Sequence, residues 1–358
     1  MDDLQLLREM RSDIGSAAPA TLARGRENVM AKISPASTSL ATTDGRTKGT
    51  VSPIRFRRRV LIASAAAALL AGGIVVADVV RPSGSGATAE AAEILTNAAA
   101  ATIRTSDPVV GPGQYLKIET TELTGSGSQA ADGSDLNWQE TTGGQVYVPA
   151  DRAGEWVWHR EGRVPLASSS EQAKAEAERL RELSKTKNLP IGQVNPMVGG
   201  VLRAKGGAFY GNEPTAIIGT PLKDAGSLPR DPRALLDLIY GRTKGAGKSP
   251  EAEAFVTIAD GLRTGVVPAD LRAALYKAAA LIPGVTVGDR QATVDGRTGI
   301  AIGIPSADGG TRRDIIIDPT SGLVIGEQDV LLKDYPNAPA GTVATWTSVK
   351  TSVVNAAP

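Results

Sequence analysis

Residues 60–80 carry no charge until Asp78 and follow directly on Arg55, Arg57, Arg58 and Arg59. As a helix rising 1.5 Å per residue, such a stretch is about 31 Å long, close to the ~30 Å hydrocarbon core of a bilayer. A single segment of backbone can pass through lipid only as a helix, because every N–H and C=O must be satisfied within it. The run therefore predicts one transmembrane span and divides the chain into a short basic piece and a long piece of nearly balanced charge.

The span is only moderately apolar. Of its 21 residues 7 are Ala, and Gly72 and Gly73 add two more small positions. Leu61, Ile62, Leu69, Leu70 and the valines supply most of the insertion energy, at roughly −0.3 to −0.6 kcal/mol each. Orientation rests on the flanks. Four arginines stand before the run and only Arg81 follows closely behind it, so the positive-inside bias places the N-terminus in the cytoplasm and everything after Arg81 outside. A cleaved signal peptide is the rival reading, with small residues at Val75-Val76-Ala77 and Ala87-Thr88-Ala89. The long basic region ahead of the run favours an uncleaved signal-anchor in the cell membrane.

Charge follows the same division. Residues 1–59 hold 11 Lys+Arg against 6 Asp+Glu, and the remainder holds 28 against 32. The outer part is thus not a nucleic-acid binder by charge. The basic flank is placed to meet anionic lipid headgroups. With no cysteine, the chain has no disulfide, no thiolate nucleophile and no lipid-modified cysteine.

The inner piece, residues 1–54, reads as two short amphipathic helices and a tether. Leu4 and Leu7 share a face of the first; Leu22, Val29, Met30 and Ile33 stripe the second. These stripes can dock a cytoplasmic partner in a helix-in-groove mode, or belong to a weakly ordered tail that aids insertion. Residues 34–53 are rich in Ser, Thr, Gly and Pro, as befits a tether. Residues 55–81 form the flank and span, and 82–89 a linker.

Residues 90–358 predict an extracytoplasmic α+β domain. Thr88 can cap a helix to about Arg104. Strands follow at 114–123, 137–149 and 155–164, with the Gly/Ser-rich stretch between the first two read as a turn. A charged helix is predicted over 171–187, then a Gly/Pro-rich passage with a short Phe209-Tyr210 strand. Asp231-Pro232, Ser249-Pro250 and Pro268 with Asp270 mark three helix starts. Five strands complete the chain, and the first pair turns at Asp295-Gly296, a type I′ hairpin signal. The expected architecture is an antiparallel sheet, curved and half-barrel in form, packed with helices.

Chemistry-bearing patterns are few. Gly247-Lys248-Ser249 lacks the glycine spacing of a phosphate loop, and Pro250 removes an amide that such a loop needs. His159 is the sole histidine, which excludes a Ser–His–Asp triad or a two-histidine zinc site. No enzyme, metal or cofactor site is read from the sequence. Tyr115, Trp138, Tyr147, Trp156 and Trp158 hold five of the chain's 13 aromatics within the strand-rich region. Trp156 and Trp158 alternate onto one strand face. Together the five are the candidate lining of an apolar pocket, or else they plug the sheet against its helices.

The chain resembles a family of actinobacterial single-pass membrane proteins of unassigned biochemical function. The resemblance covers nearly the whole chain and is carried by several stretches. These are Met1-Asp2-Asp3-Leu4-Gln5-Leu6-Leu7-Arg8-Glu9-Met10, the arginine-flanked span, Tyr147-Val148-Pro149-Ala150-Asp151-Arg152 with Glu155-Trp156-Val157-Trp158, Leu228-Pro229-Arg230-Asp231-Pro232, and Arg313-Asp314-Ile315-Ile316-Ile317-Asp318-Pro319. In layout it is similar to anti-sigma-factor membrane proteins, which implies a sigma-factor-like partner for the tail. The zinc-binding His and Cys set of many such proteins is absent here. The outer order of elements also resembles lipoprotein-carrier and sigma-regulator sensor folds, which implies an apolar ligand as the alternative role.

Overall fold

The computed structural model describes residues 86–358, apart from 106, 186–198, 210–214, 248 and 336–337. All lie in the unit that extends from Leu70 to Pro358. The arginine flank at 55–59, the apolar run at 60–80, and the tail positions Leu4, Leu7, Leu22, Val29, Met30 and Ile33 lie outside the described residues. Among the described residues no helix is long and apolar enough to cross a membrane.

Helix α1 (Ala89–Thr105) precedes a long hairpin of β1 (Tyr115–Gln129) and β2 (Asp135–Pro149). Strands β3 (Glu155–Glu161) and β4 (Val164–Ser168), helix α2 (Glu171–Lys185) and strand β5 (Gly199–Lys205) follow. A small ribbon of β6 (Ala216–Ile217) and β7 (Thr220–Pro221) leads to helices α3 (Pro232–Arg242), α4 (Pro250–Arg263) and α5 (Ala269–Ala279). The meander β8 (Thr286–Val294), β9 (Arg297–Pro305), β10 (Thr311–Ile317), β11 (Val324–Leu331) and β12 (Val343–Val354) ends the chain.

The large sheet runs β5-β3-β2-β1-β12-β11-β10-β9-β8, with β4 beside the outer part of β2. Its pairings are antiparallel, so the α+β class holds, and β5 and β8 leave it open at both ends. Pairing of β1 with β12, from Tyr115 opposite Val354 to Leu123 opposite Trp346, joins the first hairpin to the last strand. Register shifts within β8 mark bulges, the usual device for bending a strand.

Local chemistry sets several element ends. The Asp231 carboxylate accepts from the Ala234 amide to start α3, and the Ser249 hydroxyl accepts from the Ala252 amide to start α4, each with proline in the first turn. Asp295 and Gly296 take φ of 49° and 73° at the β8–β9 turn, as a type I′ hairpin requires. The predicted linker ends earlier than expected. Ala87 and Thr88 already donate to the carbonyls of Ala280 and Val285, which ties the start of α1 to the end of α5.

Two strand expectations are corrected. The Gly/Ser stretch after Leu123 continues β1 to Gln129, paired rung by rung with β2 from Gly125 opposite Gln139 to Gln129 opposite Asp135. Leu136 and Trp138 of that arm pack under Ala173 and Ala177 of α2, and this tertiary contact outweighs the poor strand propensity of glycine. In place of a Phe209-Tyr210 strand, β5 occupies 199–205. Phe209 sits in a turn whose amide donates to Gly207, and Tyr210 lies outside the described residues.

The main core lies where α1, α3, α4 and α5 cover β9 and β10. Leu95, Leu235, Phe255, Leu275 and Tyr276 meet Ile302 and Ile315 there, all with no exposed surface. Polar ties lock it. The buried Arg272 guanidinium donates to Thr102, to the Val267 carbonyl at 2.7 Å and to Asp107 at 2.7 Å. The Tyr276 hydroxyl donates to the Gly322 carbonyl at 2.8 Å, and burial raises its pKa.

Candidate binding cleft

Strand alternation decides which side chains can meet. Leu116 and Ile118 of β1 stand opposite Val148 and Val146 of β2, and Val146 stands opposite Trp158 of β3. These positions share the helix-facing side of the sheet, and Trp156 joins them two residues along. Tyr115 and Tyr147 fall at the opposite parity, on the far side with Val157 and His159. Trp138 is on the helix-facing side but at the outer end of the hairpin beneath α2, where its indole donates to Glu140 at 3.3 Å. The five aromatics thus occupy three places, and only Trp156 and Trp158 come together.

Those two line a cleft of about 310 Å³ between the sheet and the C-terminal end of α4. Trp156 is 2% exposed and donates its indole N–H to the Arg152 carbonyl at 2.9 Å, so it closes one wall. Gly207, at φ +75°, makes room for it, because a Cβ there would come within 2.8 Å of the indole. Trp158 is half-buried, with its ring centre 5.4 Å from that of Phe209 and tilted 57° to it. The Arg160 guanidinium lies 5.3 Å from the Trp158 ring centre, within cation–π range.

The facing wall is charged. Arg263, in the last turn of α4, donates to Asp260 at 2.8 Å and lies 3.5 Å from Oε1 of Glu327 on β11. That second contact has ion-pair range without hydrogen-bond geometry, and the same Oε1 has no hydrogen-bond partner among the described residues. Glu327 is 8% exposed; burial pushes its carboxyl up to about 7, Asp260 adds to the rise, and Arg263 opposes it. Farther along β10 and β11, Arg313 grips Asp329 through two bonds of 2.9 Å, which holds its guanidinium protonated. Glu327 was not singled out from the sequence. The available signal was weak: a Glu-Gln-Asp run inside an otherwise apolar strand.

Larger hollows exist elsewhere. One of about 530 Å³ lies beside Arg233, Tyr240 and Lys244, and another of about 410 Å³ lies beside Arg272, Arg297 and Val349. The aromatic cleft is the stronger candidate. It presents two large, partly exposed rings on one side and charge on the other, the mixture that orients a small ligand. His159 stands on the opposite side of the sheet, 2.8 Å from Gln145 Oε1, and has no place in the cleft. Among the described residues no group of three or more His, Asp or Glu side chains is arranged to hold a metal ion.

No family model matches the chain, and no curated protein matches it. Among solved structures, a DUF1329 family protein from Desulfovibrio piger is 9% identical, over 73% of this chain and 92% of that one, with a TM-score of 0.17. A likeness that low supports no statement of fold or ligand.

Proposed function

We propose that this chain is a single-pass cell-membrane protein whose outer α+β domain binds a small apolar molecule, or one acyl segment of a lipid, and reports its state inward. Residues 60–80 span the membrane, with the N-terminus in the cytoplasm. Stripes at Leu4, Leu7, Leu22, Val29, Met30 and Ile33 engage a sigma-factor-like regulator. The observation that carries the ligand reading is the cleft itself: Trp158 and Phe209 remain half-buried beside about 310 Å³ of open space, whereas the rings of the main core are fully enclosed. The anchoring reading is supported by the four arginines before the apolar run and the charge step across it.

The absence of cysteine makes topology direct to test. In intact cells an impermeant maleimide should label Ala131→Cys, and should label Ser16→Cys only after lysis. The reverse pattern would sink the orientation. Native mass spectrometry of the full chain released from nanodiscs should find a bound apolar molecule that Trp158→Ala loses. A consistently empty wild type would count against binding.

A second reading, an apolar-ligand or lipid carrier without an inward relay, is favoured by the same cleft. Capture with residues 1–54 separates the two. A cytoplasmic protein retained over a scrambled control supports the relay, and none retained leaves the carrier.

A further inference from the structure

The fold brings an exposed apolar hairpin to the same end of the domain at which the chain enters, and we infer that this end docks on the outer leaflet of the bilayer. Leu332, Tyr335 and Val343 then lie in the interfacial zone of the lipid. The inference rests on the anchoring reading above and adds to the span a second membrane contact.

Hydrogen bonds fix where the chain enters. The Ala87 amide donates to the Ala280 carbonyl at 3.1 Å and the Thr88 amide to the Val285 carbonyl at 2.9 Å, so the domain is gripped from Ala87 onward. Only residues 81–86 separate the apolar run from Ala87. Whatever their conformation, they can bridge at most about 25 Å. That is about the length of α1, 17 residues at about 1.5 Å each. The anchor therefore holds toward the membrane the end formed by the last turn of α5 and the start of β8. The opposite end, where α1 finishes and Asp107 meets Arg272, faces away.

The meander carries the hairpin to the tethered end. Strand β8 starts at Thr286, one residue after the carbonyl that Thr88 grips. Antiparallel pairing sets that start beside the end of β9, the start of β10, the end of β11 and the start of β12. Leu332, Tyr335 and Val343 stand there with 40%, 47% and 38% of their surfaces exposed. They gather around the β9–β10 turn. Leu332 donates its amide to the Gly310 carbonyl at 2.9 Å, and a Cβ on Gly310 would come within 2.9 Å of the Tyr335 hydroxyl. Val343 stands opposite Val330, two residues before Leu332. Apolar side chains gathered at one exposed place mark an interaction surface, and tyrosine, with an apolar ring and a polar tip, suits the lipid–water boundary.

Net charge does not drive the contact. Arg233 and Lys244 line the hollow of about 530 Å³ beside Leu281 and Pro283, and Lys333 donates to the Asp308 carbonyl at 2.8 Å. Glu251, Asp308 and Asp334 balance them at the same end. Apolar contact and the tether carry the docking instead. A tether this short keeps the hairpin at high effective concentration beside the bilayer, so a weak contact stays engaged, an advantage that a freely diffusing protein partner lacks.

The test uses the full cysteine-free chain in phosphatidylcholine nanodiscs, with a single cysteine carrying an environment-sensitive fluorophore. Ala340→Cys reports from the hairpin and leaves its three apolar residues in place; Val109→Cys, at a site 88% exposed, reports from the opposite end. Lipid bearing a nitroxide just below the headgroup should lower the emission at position 340 by about twofold or more and leave position 109 unchanged. Leu332→Asp with Tyr335→Asp, added to the first variant, should abolish the quenching while far-UV circular dichroism and the urea midpoint stay as in the parent. Position 340 quenched no more than 109, in chains that remain in the disc through alkaline carbonate, would overturn the docking and leave the anchor standing. Quenching that survives the double Asp variant would overturn the role of the apolar residues. Chains that carbonate strips from the disc would sink both readings.

Discussion

Strands β9 and β10 lie under four helices, and their inward residues Ile302 and Ile315 are completely enclosed. Strands β1 to β3 belong to the same sheet but are covered only in patches. A small cluster of Leu116, Ile118, Val148, Trp156, Val266 and Val349 lies at one end, α2 covers the hairpin arm at the other, and the cleft beside Trp158 opens near them. The contrast is one of burial. The enclosed half holds the apolar burial that stabilises the fold, at about 25 cal/mol per Å² of surface removed from water. The uncovered half leaves the Trp158 and Phe209 rings and charged side chains half-buried beside the cleft.

The sharpest way to break this comparison is to exchange large for small in each half. Phe255→Ala should cost about 3–5 kcal/mol, because a fully buried ring is lost from a close-packed core. Trp158→Ala, at a half-buried site, should cost less than about 2 kcal/mol. Urea unfolding followed by far-UV circular dichroism checks both, and equal costs would mean the two halves are not different in kind.

The second prediction has the opposite sign. Glu327 has a carboxyl pKa raised by burial to about 7 from an ordinary value of 4.5. Between those values the folded state holds a proton that the unfolded state has lost, so stability falls as pH rises from about 4.5 to about 7. Glu327→Gln removes that loss. It should stabilise the protein at pH 8 by up to on the order of 3 kcal/mol and change little at pH 4. A variant no more stable than wild type at pH 8 would show that the carboxylate is compensated.

Arg272→Met comes third. Three hydrogen-bond partners lose a buried guanidinium, but the Asp107 side chain is 37% exposed and can turn to water, so a loss of about 2 kcal/mol is expected. The smallest effect belongs to the sheet edge. Arg203 and Glu155 form an exposed pair at 3.2 Å, and Arg203→Ala should shift the urea midpoint by no more than about 0.5 kcal/mol equivalent. A larger loss would mean that this edge, where Arg203 also bonds the Pro358 carbonyl, contributes more to the fold than its exposure suggests.

Much of the fold was legible because its signals are short. Asp231-Pro232 and Ser249-Pro250 each act within three residues of a helix start, and Asp295-Gly296 turns a hairpin within two. The alternation of Trp156 and Trp158 onto one face was equally local. The candidate site was less legible. Tyr115 and Tyr147 looked like neighbours of the tryptophans in composition, but register put them through the sheet on its other side. Trp138 has the right parity and the wrong end of the strand. Glu327 gained its interest only from burial and from Arg263, a residue 64 positions away on another element.

By itself, then, the sequence determined helix caps at Asp231 and Ser249, the tight turn at Asp295-Gly296 and the approximate places of the helices and of the closing meander, because each depends on residues within one turn or one hairpin. The tertiary structure alone decided that β1 runs on through its glycines, that β12 returns to pair Val354 with Tyr115, and that one face of the joined sheet is closed by helices over β9 and β10 and left open beside β3. The physical reason is the two-residue period of a strand: a register differing by one residue moves every side chain to the other face, and pairing between residues more than two hundred positions apart is what chooses that register.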